Sequence, residues 1–239
     1  MQNKPETEAK DRILATSIKL FSQKGFDGTS VNLIAQEAKV NKALIYYYFK
    51  SKEEILDRMI QSLFDGMTEL TLSFVHETMV EMISLKQLDI LSDRLRFADK
   101  KSLDTFIAKL DAYYHSLLDY AIDNKAVLRI LMLESLKNDS KYSNGLFRFL
   151  EMTKADESNP VYKTIWEADQ DFTYTSEMTL YRFFFNIIPI VNFAAYFDDY
   201  KTISKIEGTL LIDSFMRSCH TTTMAFVSGT DLHLHTIDN

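Results

Sequence analysis

The chain has few of the residues that interrupt or cross-link a helical fold. Its 239 residues include 6 glycines and 3 prolines, so turn and breaker residues are scarce, which favours an all-α protein. The single cysteine, Cys219, cannot form a disulfide within the chain, and nothing ties the protein to an oxidising compartment. The most apolar run, residues 183–197, is shorter than the ~20 residues of a membrane span and contains Asn186, Pro189 and Asn192. We therefore expect a cytoplasmic protein with no membrane partner.

Signatures of catalysis and of cofactor binding are also missing. The sequence has no Gly-rich phosphate loop, no strand-based nucleophile turn and no Cys/His cluster. The 5 histidines are scattered, and His233 with His235 in the polar C-terminal segment supplies two possible metal ligands, which do not make a site. We therefore expect a protein with no metal site, no cofactor and no enzymatic activity.

The charge is unevenly distributed along the chain. The net charge is -7, which by itself argues against a nucleic-acid partner. Residues 1–60 nevertheless hold 10 Lys and Arg against 8 Asp and Glu, a balance of +2, and residues 61–239 hold 17 against 26, a balance of -9. The sign of this asymmetry favours nucleic-acid binding at the N-terminal end and disfavours it elsewhere.

Residues 27–54 predict two short helices joined by a tight turn. Thr29 stands where an N-cap belongs, just before apolar residues that recur at helical spacing from Val31 to Ala38. The segment 39–41 breaks that period, and Asn41 is placed to cap a second helix over 42–49. Two short helices around such a turn are typical of a helix-turn-helix, whose second helix enters the DNA major groove.

This segment resembles the TetR family of transcriptional regulators. The residues that match the family pattern cover about the first quarter of the chain: Gly25, Phe26, Thr29, Ser30, Val31, Ile34, Ala35, Ala38, Val40, Ile45, Tyr46, Tyr48, Phe49, Ser51, Lys52, Glu53 and, at the last position, Ile55. The resemblance implies an N-terminal three-helix DNA-binding domain, residues 1–52, and a larger helical effector-binding and dimerisation domain, residues 53–239.

Three positions depart from the family pattern. Lys39 stands where the turn glycine is usual, which puts a non-glycine residue in the left-handed conformation. Asn41 replaces a serine or threonine and keeps the capping function. Ala43-Leu44 replaces a glycine-threonine pair and makes the DNA-facing helix more apolar. These departures bear on which bases are recognised, whereas DNA binding itself is still expected.

The predicted DNA contacts follow from the resemblance together with helix geometry. Tyr46 and Tyr47 on the outer face of the second helix can bond to phosphate or pack on a thymine methyl, and Lys42 can reach a base edge or a phosphate. Ser51 and Glu54 form a capping box, which places Lys52 at the start of the next helix. The full predicted set is Thr29, Ser30, Asn41, Lys42, Ala43, Tyr46, Tyr47 and Lys52. The alternative for each is a solvated polar residue or a core tyrosine.

The rest of the chain predicts further helices. A first helix over 9–24 braces the helix-turn-helix, a long amphipathic helix follows from Ser51, and 84–102 predicts a short helix with a connector. Two long apolar helices, about 176–200 with a kink at Pro189 and about 204–227, carry more apolar surface than one small core needs.

Two further sites are implied by the family resemblance. A small hydrophobic or aromatic effector is expected among aromatic, methionine and polar residues, although such stripes are more often core: Phe64, Met67, Phe106, Tyr113, Tyr114, His115, Arg129, Met132, Trp166, Tyr181, Phe184 and Asn186. A homodimer interface is expected on the last two long helices: Tyr181, Phe185, Ile188, Phe193, Leu211 and Phe215.

The resemblance thus implies a ligand-responsive repressor that binds a pseudo-palindromic operator in double-stranded DNA as a homodimer. The competing interpretation is a helical small-molecule-binding or interaction protein that has lost operator binding. Binding to duplex DNA that weakens with salt distinguishes the two.

Overall fold

A computed structural model describes residues 4–91, 95–152, 154, 156–172 and 176–227. The paired histidines His233 and His235 lie outside the described residues. The all-α prediction is confirmed, since the described residues are mostly helical with one small hairpin. Contacts divide the chain into two compact units, the first formed by 1–66 and 124–146, the second by 67–123 and 147–239.

The helices of the N-terminal half are short in the helix-turn-helix and long on either side of it. In chain order they are α1 (Lys4–Lys24), α2 (Val31–Glu37), α3 (Lys42–Tyr48), α4 (Lys52–Phe74), α5 (Glu81–Ser84), α6 (Lys100–Asp123) and α7 (Lys125–Ser135). A π-helical turn, Val75–Val80, joins α4 to α5, and the hairpin strands β1 (Leu88–Ile90) and β2 (Leu95–Phe97) precede α6.

The C-terminal half consists of shorter helical segments before one long helix. They are α8 (Arg148–Glu151), α9 (Pro160–Ala168), α10 (Ser176–Tyr181), α11 (Ile188–Ala195), α12 (Phe197–Ser204) and α13 (Gly208–Val227). A 3-10 turn, Gly145–Phe147, precedes α8, and a second π-helical turn, Arg182–Ile187, joins α10 to α11.

Helix α1 packs behind the helix-turn-helix in the first unit. It begins at Lys4, five residues before the predicted start, and ends at Lys24. The next residue, Gly25, has a φ of 75°, which glycine adopts without strain. Arg12 Nε donates a 2.9 Å bond to the carbonyl oxygen of Ala38 at the end of α2. Ser17 is fully buried, and its hydroxyl donates to the Ile13 carbonyl, so it packs as a small residue. The bracing role predicted for α1 is confirmed.

The short helix predicted within 84–102 is wrong, because this segment forms an antiparallel hairpin in the second unit. β1 pairs with β2 in the register Leu88 with Phe97, Asp89 with Arg96 and Ile90 with Leu95. Leu88 and Ile90 are buried and Asp89 between them is not, which is the two-residue period of a strand. Three residues of alternation are too few to distinguish a strand from a helix in the sequence alone.

The helix predicted over 176–200 is interrupted, but the interruption is not the kink expected at Pro189. The irregularity lies in the π-helical turn Arg182–Ile187, and Pro189 follows it in the first turn of α11, where a missing N–H costs little. After Ala195 the chain bends by 66° between the helical segments Thr179–Ala195 and Phe197–Ser204. Within the described part of the chain no single helix is long and apolar enough to cross a membrane, although the bent pair Thr179–Ala195 and Phe197–Ser204 meets those criteria jointly.

Candidate nucleic-acid interface

The loop between α1 and α2 is closed by its own backbone and by Thr29. A Cβ on Gly28 would lie 2.3 Å from the Lys24 carbonyl oxygen, so the loop requires glycine there. Thr29 is fully buried, its hydroxyl donates to the Gly25 carbonyl and its N–H donates to the Phe26 carbonyl. Its predicted capping role is therefore wrong. The N-cap of α2 is Ser30, whose side chain accepts from the Leu33 N–H at 3.2 Å.

The turn between α2 and α3 is a Schellman motif that contains a lysine. The N–H of Val40 donates to the Ala35 carbonyl and that of Lys39 to the Gln36 carbonyl. Lys39 adopts a φ of 54°, the left-handed conformation expected from the missing glycine. Asn41 then caps α3 as predicted, with Oδ1 accepting from the Leu44 N–H at 2.7 Å. The direction of α3 is thus fixed by local bonds at both ends of the turn.

Helix α3 presents one exposed face and one buried face. Ile45 and the following Phe49 are 1% exposed, whereas Tyr46 is 49% and Tyr47 72% exposed. Lys42 and Ala43 are exposed on the same outer face. The predicted division of this helix into inward and outward residues is confirmed, so the structure brings four of the eight predicted DNA-contacting residues together on one helix.

The aromatic side chains on α3 are supported by neighbours. The Tyr47 ring contacts the Tyr48 ring edge to face, with centroids 5.0 Å apart. The Lys42 ammonium lies 5.8 Å from the centroid of the Tyr46 ring. The tyrosine rings can pack on base edges, and the lysine ammonium beside them can pair with a phosphate.

Lys52 occupies a different environment from the one expected for a phosphate contact. Its Nζ donates to the carbonyl oxygens of Phe26 at 2.8 Å and Thr29 at 3.0 Å, and lies 4.0 Å from the Phe26 ring centroid. The side chain therefore ties the start of α4 to the loop before α2. Its contact with DNA stays a prediction, and the geometry favours a positioning role.

The start of α4 is capped by the box that the sequence indicates, with one difference. The Glu54 N–H donates to the Ser51 hydroxyl at 3.2 Å. The Glu54 carboxylate accepts from the N–H of Lys50, one residue before the usual donor. This backbone hydrogen bond, more than the nearby Arg58, lowers the pKa of Glu54 below its ordinary value.

An ionic cluster within the first unit joins the helix-turn-helix to α7 and the segment after it. Lys137 Nζ lies 2.6 Å from both the Asp27 and the Glu134 carboxylates, and the Ser140 hydroxyl donates to Glu134 at 2.8 Å. Glu134 is 3% exposed, whereas Asp27 is at the surface. Burial lowers the pKa of Lys137, but its bonds to Asp27 and Glu134 outweigh that effect and the pKa is raised. Sequence reasoning missed this cluster, because Asp27 and Lys137 are 110 residues apart.

The predicted effector residues are divided between the two units. Phe64, Arg129 and Met132 belong to the first unit, and the other nine to the second. In the second unit, the rings of Phe106 and Tyr113 both pack on Phe74, and Tyr113 stacks on it with centroids 4.7 Å apart. His115, Trp166 and Phe184 are exposed. Only part of the predicted set is therefore gathered in one place.

Hydrogen bonds between polar groups of the second unit connect α13 to α6, to α10 and to the π-helical turn Arg182–Ile187. Asn186 is 4% exposed and its amide donates to the Thr223 hydroxyl at 3.2 Å. Tyr114 also hydrogen-bonds Thr223, and burial raises the pKa of its phenol well above the ordinary value. Tyr181 donates to the Thr222 carbonyl at 2.7 Å, and burial raises its pKa to about 12. The polar groups of this region are satisfied within the chain.

Two concavities in the second unit are lined by residues other than the predicted effector residues. One, of about 10 Å³, is lined by residues of α9 and its surroundings, including Arg182. The other, of about 400 Å³, lies beside the hairpin and includes Leu88 and Phe97. None of the twelve predicted effector residues lines either concavity. Among the described residues no group of three or more His, Cys, Asp or Glu could hold a metal ion.

The predicted dimer residues differ in exposure. Phe193 is 9% exposed and stacks on Phe215 within the chain, with centroids 4.2 Å apart. Phe185 is 53% exposed, and Tyr181, Ile188 and Leu211 are half-buried. Sequence reasoning missed exposed apolar neighbours on the same C-terminal elements, Leu180, Ile203, Ile206 and Leu210. In the sequence, the only indication of these residues was that they are apolar and have no assigned partner in the predicted core.

Known proteins resemble the chain both in its N-terminal segment and over most of its length. Residues 13–59 match the model of "Bacterial regulatory proteins, tetR family". The Bacillus subtilis (strain 168) "Probable HTH-type transcriptional regulator YttP" is 24% identical over 77% of this chain and 92% of that protein. The Staphylococcus aureus (strain Newman) "Biofilm operon icaADBC HTH-type negative transcriptional regulator IcaR" is 39% identical over 26% of this chain and 33% of that protein.

A solved structure shows the same fold. A protein of Mesorhizobium loti MAFF303099, assigned to the TetR family of transcriptional regulators, superposes with a TM-score of 0.50 at 15% identity over 95% of this chain and 98% of that chain. Such regulators are DNA-binding proteins and not enzymes. The capped helix-turn-helix, the family match centred on it and the relative that extends over most of the chain lead to one assignment. The chain is a DNA-binding regulator whose residues 13–59 match the TetR family of bacterial regulatory proteins.

Proposed function

We propose that the protein is a ligand-responsive repressor that binds a pseudo-palindromic operator as a homodimer and is released by a small hydrophobic or aromatic effector. The observation that carries the DNA-binding part is the exposed face of α3, with Lys42, Ala43, Tyr46 and Tyr47 outward and Ile45 buried. Repression is supported by the Staphylococcus aureus relative, which is named a negative transcriptional regulator.

The proposed DNA interface has two kinds of residue. Ser30, Asn41 and the exposed face of α3 contact the duplex. Thr29 and Lys52 shape the interface, because their hydrogen bonds are directed into the loop between α1 and α2. Two copies of α3 enter successive major grooves, with centres about 34–36 Å apart or a multiple of that spacing.

Binding to fragments of the DNA that flanks the protein's own gene tests this interface. Fluorescence anisotropy over a range of salt concentrations should give affinities that fall as salt rises. Tyr47→Ala should weaken binding, whereas Phe147→Ala, which alters an exposed aromatic residue of the second unit outside the C-terminal elements proposed for the dimer, should not. Equal binding by the two variants would remove α3 from the interface.

The effector is proposed to bind in the second unit around Tyr113. The Tyr113 hydroxyl lies 2.9 Å from Thr71 Oγ1, and its ring stacks on Phe74. Thr71 and Phe74 are on α4, whose N-terminal residues belong to the first unit. A ligand that prefers one arrangement of α4 would change DNA affinity by its differential affinity for the two states.

A thermal-shift screen of hydrophobic and aromatic compounds tests the effector site. A compound that binds the native state raises the unfolding temperature. The shift should disappear in Tyr113→Ala and persist in Trp166→Ala, because Trp166 is exposed and lies outside the ring cluster. A shift that survives Tyr113→Ala would place the ligand elsewhere.

The homodimer is proposed to use the exposed apolar side chains of the C-terminal elements, including Phe185, Ile203 and Leu210. Phe185→Glu should shift the mass measured by sedimentation towards a monomer. Phe147→Glu is the matched control, because Phe147 is 56% exposed but lies outside those elements. An unchanged mass for Phe185→Glu would exclude this face.

The alternative is a helical ligand-binding or interaction protein that no longer binds an operator. It predicts that no duplex is retained at low salt although the thermal-shift screen finds a ligand. The intact caps and the aromatic outer face of α3 favour the repressor over this alternative.

A further inference from the structure

The exposed face of α3 lacks the side chains that read most base edges. The helix sequence is KALIYYY, with no Arg, Asn, Gln, Asp or Glu. Arg pairs bidentately with guanine, Asn and Gln with adenine, and Asp or Glu accepts from cytosine. Lys42 is the only residue of this helix with a charged group, and a lysine donates as a point charge.

Asn41 stands next to the helix but is committed to another bond. Its Oδ1 accepts from the Leu44 N–H at 2.7 Å, which directs the carbonyl oxygen back to the first turn of α3. A bidentate contact with adenine requires that oxygen and the amide nitrogen to face the base together. The cap therefore fixes the direction of Oδ1 and disfavours the paired contact of oxygen and amide nitrogen that adenine requires.

The remaining outer surface is apolar and aromatic. Ala43 offers a methyl group, and Tyr46 and Tyr47 offer ring surface at 49% and 72% exposure. The rings have few rotatable bonds, and Tyr47 is further held by its edge-to-face contact with Tyr48. In the major groove, the C5-methyl group of thymine is the one apolar feature of the four bases.

We propose that α3 recognises thymine methyl groups, so that the half-site is rich in A·T pairs, with thymines against Ala43 and against the rings of Tyr46 and Tyr47. Lys42, at the first turn, adds one guanine or phosphate contact. This inference rests on the proposed operator binding and specifies the class of sequence that the same surface binds. Ser30, the N-cap of α2, and Lys39, in the turn, are both exposed, and these parts of a helix-turn-helix face the DNA backbone.

Replacement of thymine by uracil tests the inference, since it removes the methyl group and keeps the base pair. The starting duplex is the one that the protein retains from a random pool. Uracil at the thymines that α3 covers should weaken binding about fourfold for each buried methyl, and uracil at flanking thymines should not. At a cytosine of the half-site that α3 covers, 5-methylcytosine should bind more tightly than cytosine.

Protein variants assign the methyl groups to side chains. In Tyr47→Ala the uracil penalty at one position should disappear, whereas Tyr47→Phe, which keeps the ring, should retain it. Tyr47 is exposed, so neither variant removes a core residue. Loss of the penalty in both variants would assign recognition to the hydroxyl and overturn the methyl assignment for Tyr47.

The outcomes separate the inference from the function on which it rests. If the protein binds a symmetric duplex and uracil weakens that binding only under α3, the inference is supported. If it binds such a duplex and uracil has no effect, methyl recognition is wrong while operator binding stands. If it retains no duplex at any salt concentration, both are wrong.

Discussion

Lys52 contacts Phe26 in two ways: its Nζ donates a 2.8 Å hydrogen bond to the Phe26 carbonyl oxygen and lies 4.0 Å from the centroid of the Phe26 ring. The same ammonium donates to the Thr29 carbonyl oxygen at 3.0 Å. The start of α4 is therefore bonded to the loop that leads into α2. The ammonium group of Lys52, which the sequence predicts to contact DNA, is therefore hydrogen-bonded within the protein.

Lys42 and Lys52 should respond differently to substitution. Lys42→Ala should lower the slope of log affinity against log salt by about one, because an exposed phosphate-binding cation is lost. Lys52→Met should leave the slope unchanged and lower the free energy of unfolding by about 1–2 kcal/mol, because two carbonyls lose a charged donor. Anisotropy titrations and urea unfolding measure the two effects. An equal fall in slope for Lys52→Met would place its ammonium on a phosphate.

Lys39→Gly should stabilise the protein by about 1 kcal/mol, because a left-handed conformation is unfavourable for a residue with a Cβ. The φ of Lys39 is 54°, and its N–H bond to the Gln36 carbonyl is kept in the variant. Lys39→Ala is the matched control, since it removes the same charge and keeps the Cβ. Urea unfolding should rank glycine above both lysine and alanine. Equal stability of the glycine and alanine variants would contradict the account of this turn.

Lys137→Met should destabilise the protein by about 1–3 kcal/mol, because the buried Glu134 carboxylate loses its cation. The matched control is Lys163→Met, whose partner Glu167 is 59% exposed, and that change should stay within about 0.5 kcal/mol. Glu134 keeps its bond from Ser140 in both proteins. Urea unfolding of the two variants makes the comparison, and similar losses would mean that the cluster adds no more than a surface pair.

The stability of the protein should fall at alkaline pH partly through Tyr181. Burial raises its pKa to about 12, above the ordinary 10.0, so the folded state holds the phenolic proton more tightly than the unfolded state. Its contribution is fully present below pH about 10 and is lost as pH rises from about 10 to about 12.

Urea unfolding of the wild type and Tyr181→Phe between pH 8 and 11.5 measures this contribution, because the variant lacks the titrating group. The difference between the two proteins should be constant below pH about 9.5 and should change in the variant's favour above it. A difference that stays constant over the whole range would contradict the assigned burial of this phenol.

The sequence predicted the helix-turn-helix well, because its determinants are local. Asn41 caps α3, and the helical period separates the buried Ile45 from the exposed Tyr46 and Tyr47. Thr29 and Ser30 were harder to distinguish, since both carry a hydroxyl before the same helix. The Thr29 hydroxyl donates to the Gly25 carbonyl, and that contact depends on how the loop folds.

Features that depend on contacts between residues distant in the chain could not be predicted from the sequence. The hairpin at 88–97 has too few residues to establish a period, and a π-helical turn such as Val75–Val80 keeps a helix-like apolar pattern. The effector residues were chosen by residue type, but Phe64 and Tyr113 belong to different units. Likewise, Phe193 and Phe185 look alike in sequence, and only Phe185 is exposed.

Selection of random duplex DNA on the purified protein, followed by sequencing of the retained fraction, tests operator binding most directly. We expect a two-fold symmetric motif with A·T-rich half-sites whose centres lie about one helical turn, or a multiple of it, apart. Enrichment of the motif should be weaker for Tyr47→Ala and unchanged for Phe147→Ala. Enrichment of no sequence at low salt, by a protein with Tyr46 and Lys42 intact, would contradict operator binding.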